Sequence, residues 1–256
     1  GAMSMADAFS RVSGQLGVCL TSTGTAAGNA AGAQAEALTA GSRVLHITTQ
    51  IDREFMDRDR AAIHDVPKQP EMLRGVSKAY FRIWDEKSAI GTLEAAIRAA
   101  MTPPTGPVSI EIPVDVQRLA AFPAAPSTPP LPALPPVEEG KLDQLVAMIK
   151  AAKRPMIWLG GGAREASAEA TELVARGFGV VTSTQGRAIV AEVNGATLGA
   201  FNMTPEARKI YAKSDLMIVV GSRLRGNETL NNKMKLPSPL VQIDVEPTQS
   251  GRNYPI

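Results

Sequence analysis

The chain has 256 residues, 44% of them hydrophobic, and its 27 basic residues nearly balance its 25 acidic ones. Without clustered positive charge, nucleic-acid binding is not expected, and no apolar run approaches the roughly 20 residues of a membrane helix. One cysteine, Cys19, and two histidines exclude an internal disulfide and a closed zinc site. We therefore expect a soluble cytoplasmic protein with no bound metal of its own, no nucleic-acid partner and no membrane partner.

Short β-rich runs alternate with helical patterns through the first 118 residues. The predicted strands and helices follow one another at 16–21, 28–39, 44–48, 87–100 and 108–112. Gly41 supplies the usual C-terminal stop for the first of these helices, and Pro113 ends the last strand. Strands that alternate with helices indicate a parallel sheet covered on both faces.

A proline-rich segment, 119–140, interrupts this pattern. Its seven prolines are Pro123, Pro126, Pro129, Pro130, Pro132, Pro135 and Pro136. Proline fixes φ and donates no backbone hydrogen bond, so the segment is predicted to be an extended linker. It separates a domain at 1–118 from a second domain at 141–256.

The second domain repeats the same alternation. Its predicted elements lie at 142–152, 155–159, 167–176, 180–183, 216–220 and 240–243. We therefore predict an α/β fold of two doubly wound parallel-sheet domains joined by the Pro-rich linker. In such a sheet a ligand lies at the carboxyl ends of the strands.

Three loops in the second domain allow a nucleotide site and also a structural role. Gly160-Gly161-Gly162 follows a strand, but Glu165 occupies the third glycine position of a dinucleotide-binding loop. A tight turn and a phosphate site both remain open there. Asp244 could bond a ribose or be an ordinary loop acid, and Arg223 and Arg225 could meet phosphate or be solvated.

The two histidines lie in different surroundings. His46 falls inside the apolar run 44–47, which favours a satisfied core histidine over a catalytic one. His64 lies in a polar, irregular segment before Pro67, where it could reach a cavity and titrate near neutral pH. From the residues alone, the chain is a two-domain α/β protein without a complete site.

Six segments resemble motifs of one enzyme superfamily, in the right order. They are a Gly-Ala-x-x-Met-Ala-Asp helix at 1–11, a Thr-Ser-Gly-like loop at 22–29, a Thr-Gly-Gln-like strand end at 47–50, a domain-closing signature at 106–117, and two central-domain strands at 155–162 and 242–247. The set is similar to the thiamine-diphosphate-dependent superfamily of acetolactate synthase, benzoylformate decarboxylase and pyruvate oxidase.

The resemblance implies a 2-keto acid decarboxylase or carboligase that uses thiamine diphosphate and Mg²⁺ as a homodimer or homotetramer. The first domain would bind the cofactor's pyrimidine and would lack its first strands, and the second would be the Rossmann-like central domain. The family's catalytic glutamate would precede Gly1, and its magnesium motif would follow Ile256. This polypeptide alone is therefore expected to be inactive, with no metal ligands of its own.

The resemblance also assigns site residues. The cofactor-binding candidates are Thr23, Gly24, Thr25 and Asn29. Gln50, at a strand end, and His64, near a family histidine, are the catalytic candidates. For His64, a proton-relay role and a structural role both remain open. The loop departs from the family where its Pro-Gly is replaced by Thr25-Ala26. Lys78 matches a family lysine but is interpreted as a surface charge.

Two other functions stay open. The central domain could hold FAD or ADP or be purely architectural, and the chain could then be a nucleotide-binding module. It could also be a non-catalytic scaffold that only self-associates.

Overall fold

The computed structural model describes residues 1–119, 130–131, 133–134 and 136–256. The chain divides into two compact units, Gly1–Ala133 and Leu134–Ile256. Most of the prolines of the predicted linker lie outside the described residues, so the linker and its bounds stay a prediction. In the part of the chain that the structure describes, no helix has the length and apolar character needed to cross a bilayer.

The first unit is a four-stranded parallel sheet with helices. Its elements are α1 (Ala2–Ser13), β1 (Gly17–Thr21), α2 (Thr25–Ala40), β2 (Val44–Gln50), α3 (Gln69–Gly75), β3 (Ala79–Arg82), α4 (Ala89–Met101), β4 (Val108–Pro113) and α5 (Val114–Gln117). The strand order is β1-β2-β4-β3, and all neighbours pair in parallel. The carboxyl ends of the four strands therefore share one edge, where the loops that begin α2 and α3 also lie.

The two faces of this sheet bury different side chains. On the face toward α4, apolar residues such as Leu45, Val108 and Ile110 form the core. The opposite face is covered by α1, α2 and α3, and part of it is an apolar cluster that includes Cys19 and Val44. The rest of this face, together with α2 and α3, buries polar side chains that we call the polar layer. Its members are Gln34, His46, Thr48, Gln50, Gln69, Ser109 and Glu111. The alternation along β2 and β4 thus separates two buried faces, whereas such alternation more often marks a half-exposed strand.

The second unit is also a four-stranded parallel sheet. Its main elements are α6 (Glu139–Ala151), β5 (Pro155–Leu159), α7 (Ser167–Ala175), β6 (Gly179–Thr182), α8 (Pro205–Tyr211), β7 (Leu216–Val220) and β8 (Leu240–Ile243). The strand order is β6-β5-β7-β8, again all parallel. Met156 and Trp158 belong to one apolar cluster, and Ile157 and Leu159 belong to another. Consecutive β5 residues therefore point to opposite faces of the sheet, and both faces are apolar.

The predicted fold class is confirmed by these two parallel sheets. Of the elements given above, four short ones escaped the prediction: α3 and α8, with seven residues each, and α5 and β3, with four each. In β3, Tyr80 and Arg82 interrupt the apolar signal and are only partly buried. Tertiary contacts with β4, which pairs along all four residues, hold this strand in place.

Candidate functional site

The loop after β1 is fixed by glutamine side chains at the carboxyl edge of the sheet. Gly24 N–H donates to Gln69 Oε1 at 2.6 Å, and Thr23 Oγ1 lies 3.2 Å from the same oxygen. Thr23 Oγ1 is also 3.3 Å from Gln50 Oε1, and Thr23 N–H donates to Thr49 Oγ1 at 2.8 Å. Side chains from β2 and α3 therefore position the turn that begins α2.

Only glycine fits at position 24. Gly24 has φ of +64°, and a Cβ on it would lie 2.2 Å from the carbonyl oxygen of His64. The His64 main chain therefore packs directly against the turn, and it too adopts a left-handed φ of 61°. The imidazole of His64 is exposed to solvent. The structure thus brings His64 beside Gly24 through its backbone.

A buried carboxylate lies behind these glutamines. Glu111, on β4, has no exposed surface. Its Oε1 accepts from Gln69 Nε2 at 2.7 Å and from Gln50 Nε2 at 3.4 Å. Gln69 Nε2 also donates to the Thr49 carbonyl at 3.2 Å. The carboxylate therefore contacts both glutamines that hold the Thr23–Gly24 turn.

Strand β3 supplies the partners of the second Glu111 oxygen. Arg82 donates from Nε at 2.9 Å and from Nη2 at 2.6 Å, and the Tyr80 hydroxyl donates to the same Oε2. Burial, together with the Glu111 hydrogen bond, raises the pKa of Tyr80 above its usual value, so the phenol stays protonated. The Arg74 guanidinium lies 4.4 Å from the centre of the Tyr80 ring. Glu111 is thus charge-paired inside the fold.

His46 forms a second chain of hydrogen bonds in the polar layer. Its Nδ1 lies 2.7 Å from Gln34 Oε1, and its Nε2 lies 2.8 Å from Thr21 Oγ1. Gln34 Nε2 donates to Ser77 and Ser109, each at 2.7 Å, so Gln34 must offer its oxygen to a proton on Nδ1. Burial lowers the pKa of His46 to about 4, which keeps it neutral. The interpretation of His46 as a satisfied core histidine is confirmed.

A cavity of about 240 Å³ lies at the end of β2. Gln50 lines it together with the apolar side chains of Ile51, Met56 and Val66, and Asp57 and Asp65 also contribute to its wall. The Gln50 side chain connects this cavity to the Thr23–Gly24 turn, because it also contacts Thr23. The cavity is therefore a candidate for binding a small group with apolar faces.

The predicted site residues divide into two sets. Thr23, Gly24 and Gln50 meet in one buried hydrogen-bonded group beside the His64 main chain. Thr25 and Asn29 are exposed and lie four residues apart on one side of α2. The structure thus brings the first set together and leaves the second on the helix surface.

Sequence reasoning missed Gln69 and Glu111. Glu111 lies in a strand predicted to be buried, where an acid demands a partner. The need for a partner was the sequence signal that could have identified Glu111. Gln69 offered none, because it stands in an irregular polar segment 42 residues before Glu111.

In the second unit, two of the three glycines after β5, Gly160 and Gly162, are required by close packing against the loop after β7. Gly160 N–H donates to the Val220 carbonyl at 2.8 Å, and Gly162 N–H donates to the Gly221 carbonyl at 3.1 Å. A Cβ on Gly160 would lie 2.1 Å from the Gly221 oxygen. The loops thus meet between the adjacent strands β5 and β7, where a doubly wound sheet would bind a nucleotide. This geometry supports the interpretation of the glycine loop as a tight turn rather than as a phosphate-binding site.

Two other predicted residues take structural roles. Asp244 accepts from Glu246 N–H at 2.9 Å, which closes a local turn. Lys78 is exposed, and its Nζ donates to the Ala99 and Thr102 carbonyls at 2.7 and 2.6 Å. Partial desolvation lowers the pKa of Lys78. Its exposure agrees with the interpretation as a surface charge, and its two hydrogen bonds also cap the C-terminal end of α4.

The fold defines a protein of two parallel α/β units, and comparison with known families makes the class specific. The N-terminal TPP binding domain of thiamine pyrophosphate enzymes matches residues 1–72, and the thiamine pyrophosphate enzyme central domain matches residues 142–256. The chain belongs to the thiamine pyrophosphate enzyme family, as the resemblance predicted. The N-terminal match includes Thr23, Gly24, Gln50 and Gln69.

Curated relatives are acetolactate synthases. The chain is 28% identical to chloroplastic acetolactate synthase 2 of Zea mays, over 97% of this chain and 40% of the relative. It is 29% identical to acetolactate synthase of Arthrospira platensis, over 99% and 46%. It is 27% identical to a probable acetolactate synthase large subunit of Methanococcus aeolicus, over 97% and 43%. The chain thus spans less than half the length of these relatives.

Proposed function

We propose that this chain forms the pyrimidine-binding and central parts of a thiamine-diphosphate-dependent 2-keto acid decarboxylase or carboligase of the acetolactate synthase type. The observation that carries the proposal is the Thr23–Gly24 turn, held by Gln50 and Gln69 at the carboxyl edge of a parallel sheet. That turn lies within the residues matched by the TPP binding domain. The relatives' names support a 2-keto acid as substrate.

The residues at this edge fit the pyrimidine half of the cofactor. A cavity of about 240 Å³ is smaller than the roughly 300–1,000 Å³ of sites for drug-sized ligands, so it suits one ring. Ile51, Met56 and Val66 would flank the ring's faces, and Gln50 would meet its polar edge. Among the described residues, no group of three or more histidines, cysteines or acids is placed to hold a metal ion. We therefore expect the ligands of Mg²⁺ to come from elsewhere in the whole protein.

Bound thiamine diphosphate would supply an electron sink for loss of carbon dioxide from the 2-keto acid. Gln50 would orient the pyrimidine, and the exposed imidazole of His64 would carry a proton at the mouth of the site. Thr25 and Asn29 would contact the cofactor or a partner subunit from the exposed side of α2. A homodimer or homotetramer would complete such a site. We propose the cytoplasm as its compartment, although the plant relatives are named chloroplastic.

A nucleotide in the second unit is less well supported. FAD or ADP remains the alternative ligand, and Arg223 and Arg225 would be its phosphate contacts. However, the contact between Gly162 and Gly221 occupies the crevice between β5 and β7. We therefore propose that this unit is architectural.

Binding of the cofactor's pyrimidine by this chain can be tested directly. Thiamine, which carries the aminopyrimidine without the diphosphate, is added to ¹⁵N-labelled protein, and the amide signals are followed by NMR. We expect shifts at Thr23, Gly24, Gln50 and His64, and weaker shifts for a Gln50→Met variant. The second unit, whose amides should not move, is the internal control. If a high concentration of thiamine shifts no amide signal of the first unit, the proposed function is contradicted.

A further inference from the structure

We propose that Glu111 is a positioning residue, which acts through Gln69 to place the Thr23–Gly24 turn. The inference rests on the proposed function of that turn as a cofactor contact. Glu111 lies behind the turn and touches neither Thr23 nor Gly24 in any described hydrogen bond. Its influence is carried by the Gln69 amide, which contacts Glu111 on one side and Gly24 on the other.

The orientation of the Gln69 amide follows from the chemistry of its neighbours. A carboxylate can only accept hydrogen bonds, so the Gln69 group that lies 2.7 Å from Glu111 Oε1 must be the nitrogen. The amide oxygen therefore points the other way, where it accepts from Gly24 N–H at 2.6 Å. The Thr23 hydroxyl lies 3.2 Å from the same oxygen. The acid on β4, with the Thr49 carbonyl that accepts from the same nitrogen at 3.2 Å, thus determines which end of the glutamine faces the turn.

The Glu111 carboxylate has further partners, and all of them are donors. Gln50 donates to Oε1, and Tyr80 and Arg82 donate to Oε2. A neutral amide at position 111 would present an NH₂ group to at least one of these donors. The Gln69 nitrogen would then keep only the Thr49 carbonyl at 3.2 Å as its acceptor, or the amide would turn over and set its NH₂ against Gly24 N–H. The first result loosens the amide that holds the turn, and the second breaks its bond to Gly24.

Glu111 could instead serve only to balance the charge of Arg82, with which it forms a buried ion pair at 2.6 Å. The two roles differ in where the damage falls when Glu111 is changed. Loss of charge balance would weaken the whole first unit. Loss of positioning would free one amide, Gly24 N–H, more than the amides of the core. Residue-resolved hydrogen exchange separates the two roles.

The experiment measures amide exchange by NMR on the full chain and on its Glu111→Gln variant. We expect Gly24 N–H to exchange at least about fivefold faster in the variant, relative to Leu45 and Ile110 in the apolar core, because a buried hydrogen bond is lost. Gln69→Met should do the same, since it removes the acceptor at similar size. It also supplies the measurement if Glu111→Gln does not fold. Gln34→Met, an equally buried glutamine of the same polar layer, is the control and should leave Gly24 unchanged.

Two results would overturn the inference. One is a variant in which Gly24 stays as protected as in the unmodified chain. The other is exchange that rises equally at Gly24, Leu45 and Ile110, which would leave Glu111 with a structural role alone. Neither measurement needs a cofactor. A chain that fails to bind thiamine therefore contradicts the proposed function separately from this result.

Discussion

The two sheets of this chain have the same parallel architecture but bury different chemistry. In the second unit, both faces of the sheet are apolar, with Trp158 in one cluster and Ile157 in the other. In the first unit, one face is apolar and the other carries the polar layer, which includes the neutral His46 and the charged Glu111. An apolar interior needs only complementary shape, whereas a buried polar group must find its partners.

The two units also differ in how the loops at their strand ends are held in position. In the second unit, loops at the strand ends are placed by close backbone contact, as between Gly160 and Gly221. In the first unit, the Thr23–Gly24 turn is placed by directional bonds from Gln69. Hydrogen bonds fix orientation as well as distance, and a fully satisfied buried network can specify one arrangement. The polar layer therefore lies where the Thr23–Gly24 turn, which we propose to contact the cofactor, needs a defined position.

The largest expected effect comes from breaking the ion pair at the centre of the polar layer. Arg82→Met would leave Glu111 buried without its counter-charge, and loss of one partner of a buried pair destabilises by about 3–5 kcal/mol. Urea unfolding, followed through amide signals of the first unit, would measure this. Arg187→Met, which breaks an exposed pair with Glu192 at 2.8 Å in the second unit, should change stability far less, because solvent screens an exposed pair. Similar losses of stability in both variants would contradict the view that the first unit depends on a buried ion pair more than the second depends on an exposed one.

A smaller effect is expected from adding one methyl group to the loop contact of the second unit. In Gly160→Ala the new Cβ would meet the Gly221 carbonyl oxygen at 2.1 Å, and the backbone shift should cost about 2–3 kcal/mol. Trp158 fluorescence during urea unfolding, in a Trp84→Phe background, would report on this unit. Gly195→Ala is the matched control, because no atom lies within 4 Å of its Cβ position. A Gly160→Ala protein as stable as the control would show that the loops can separate, and the nucleotide site would reopen.

The sequence predicts the strands of this chain better than it predicts the contacts between their buried polar side chains. The strands at 44–50 and 216–220 were predictable because their apolar residues are local and continuous. The position of Gln50 at the edge followed from the resemblance together with the end of β2. The pairing of Gln69 with Glu111 was not predictable, because it depends on the crossover that brings α3 beside β4. Local pattern determines elements, whereas the partners of buried polar groups are decided by tertiary structure.

The smallest effect is a pH dependence confined to the first unit, since both histidines of the chain lie in it. The folded pKa of His46 is about 4, below the value of about 6.5 for an unfolded histidine. The unfolded chain therefore binds the proton more readily, so the stability that neutral His46 contributes is complete above pH 6.5 and is lost as the pH falls toward 4. Between pH 7 and pH 5 we expect the first unit to lose about 2 kcal/mol from this group.

His46→Gln removes the titration while keeping an amide that can bond Gln34 and Thr21. Urea unfolding of both proteins at pH 7 and pH 5 isolates the histidine, because carboxylates titrate alike in the two proteins. We expect the stability difference between the pH values to shrink in the variant by about 2 kcal/mol. An unchanged difference would mean that His46 accepts a proton in place, with the Thr21 hydroxyl turning its oxygen toward Nε2. The polar layer would then tolerate a second charged residue besides Glu111. A neutral His46 would no longer be a feature that separates this buried layer from a solvent-exposed face.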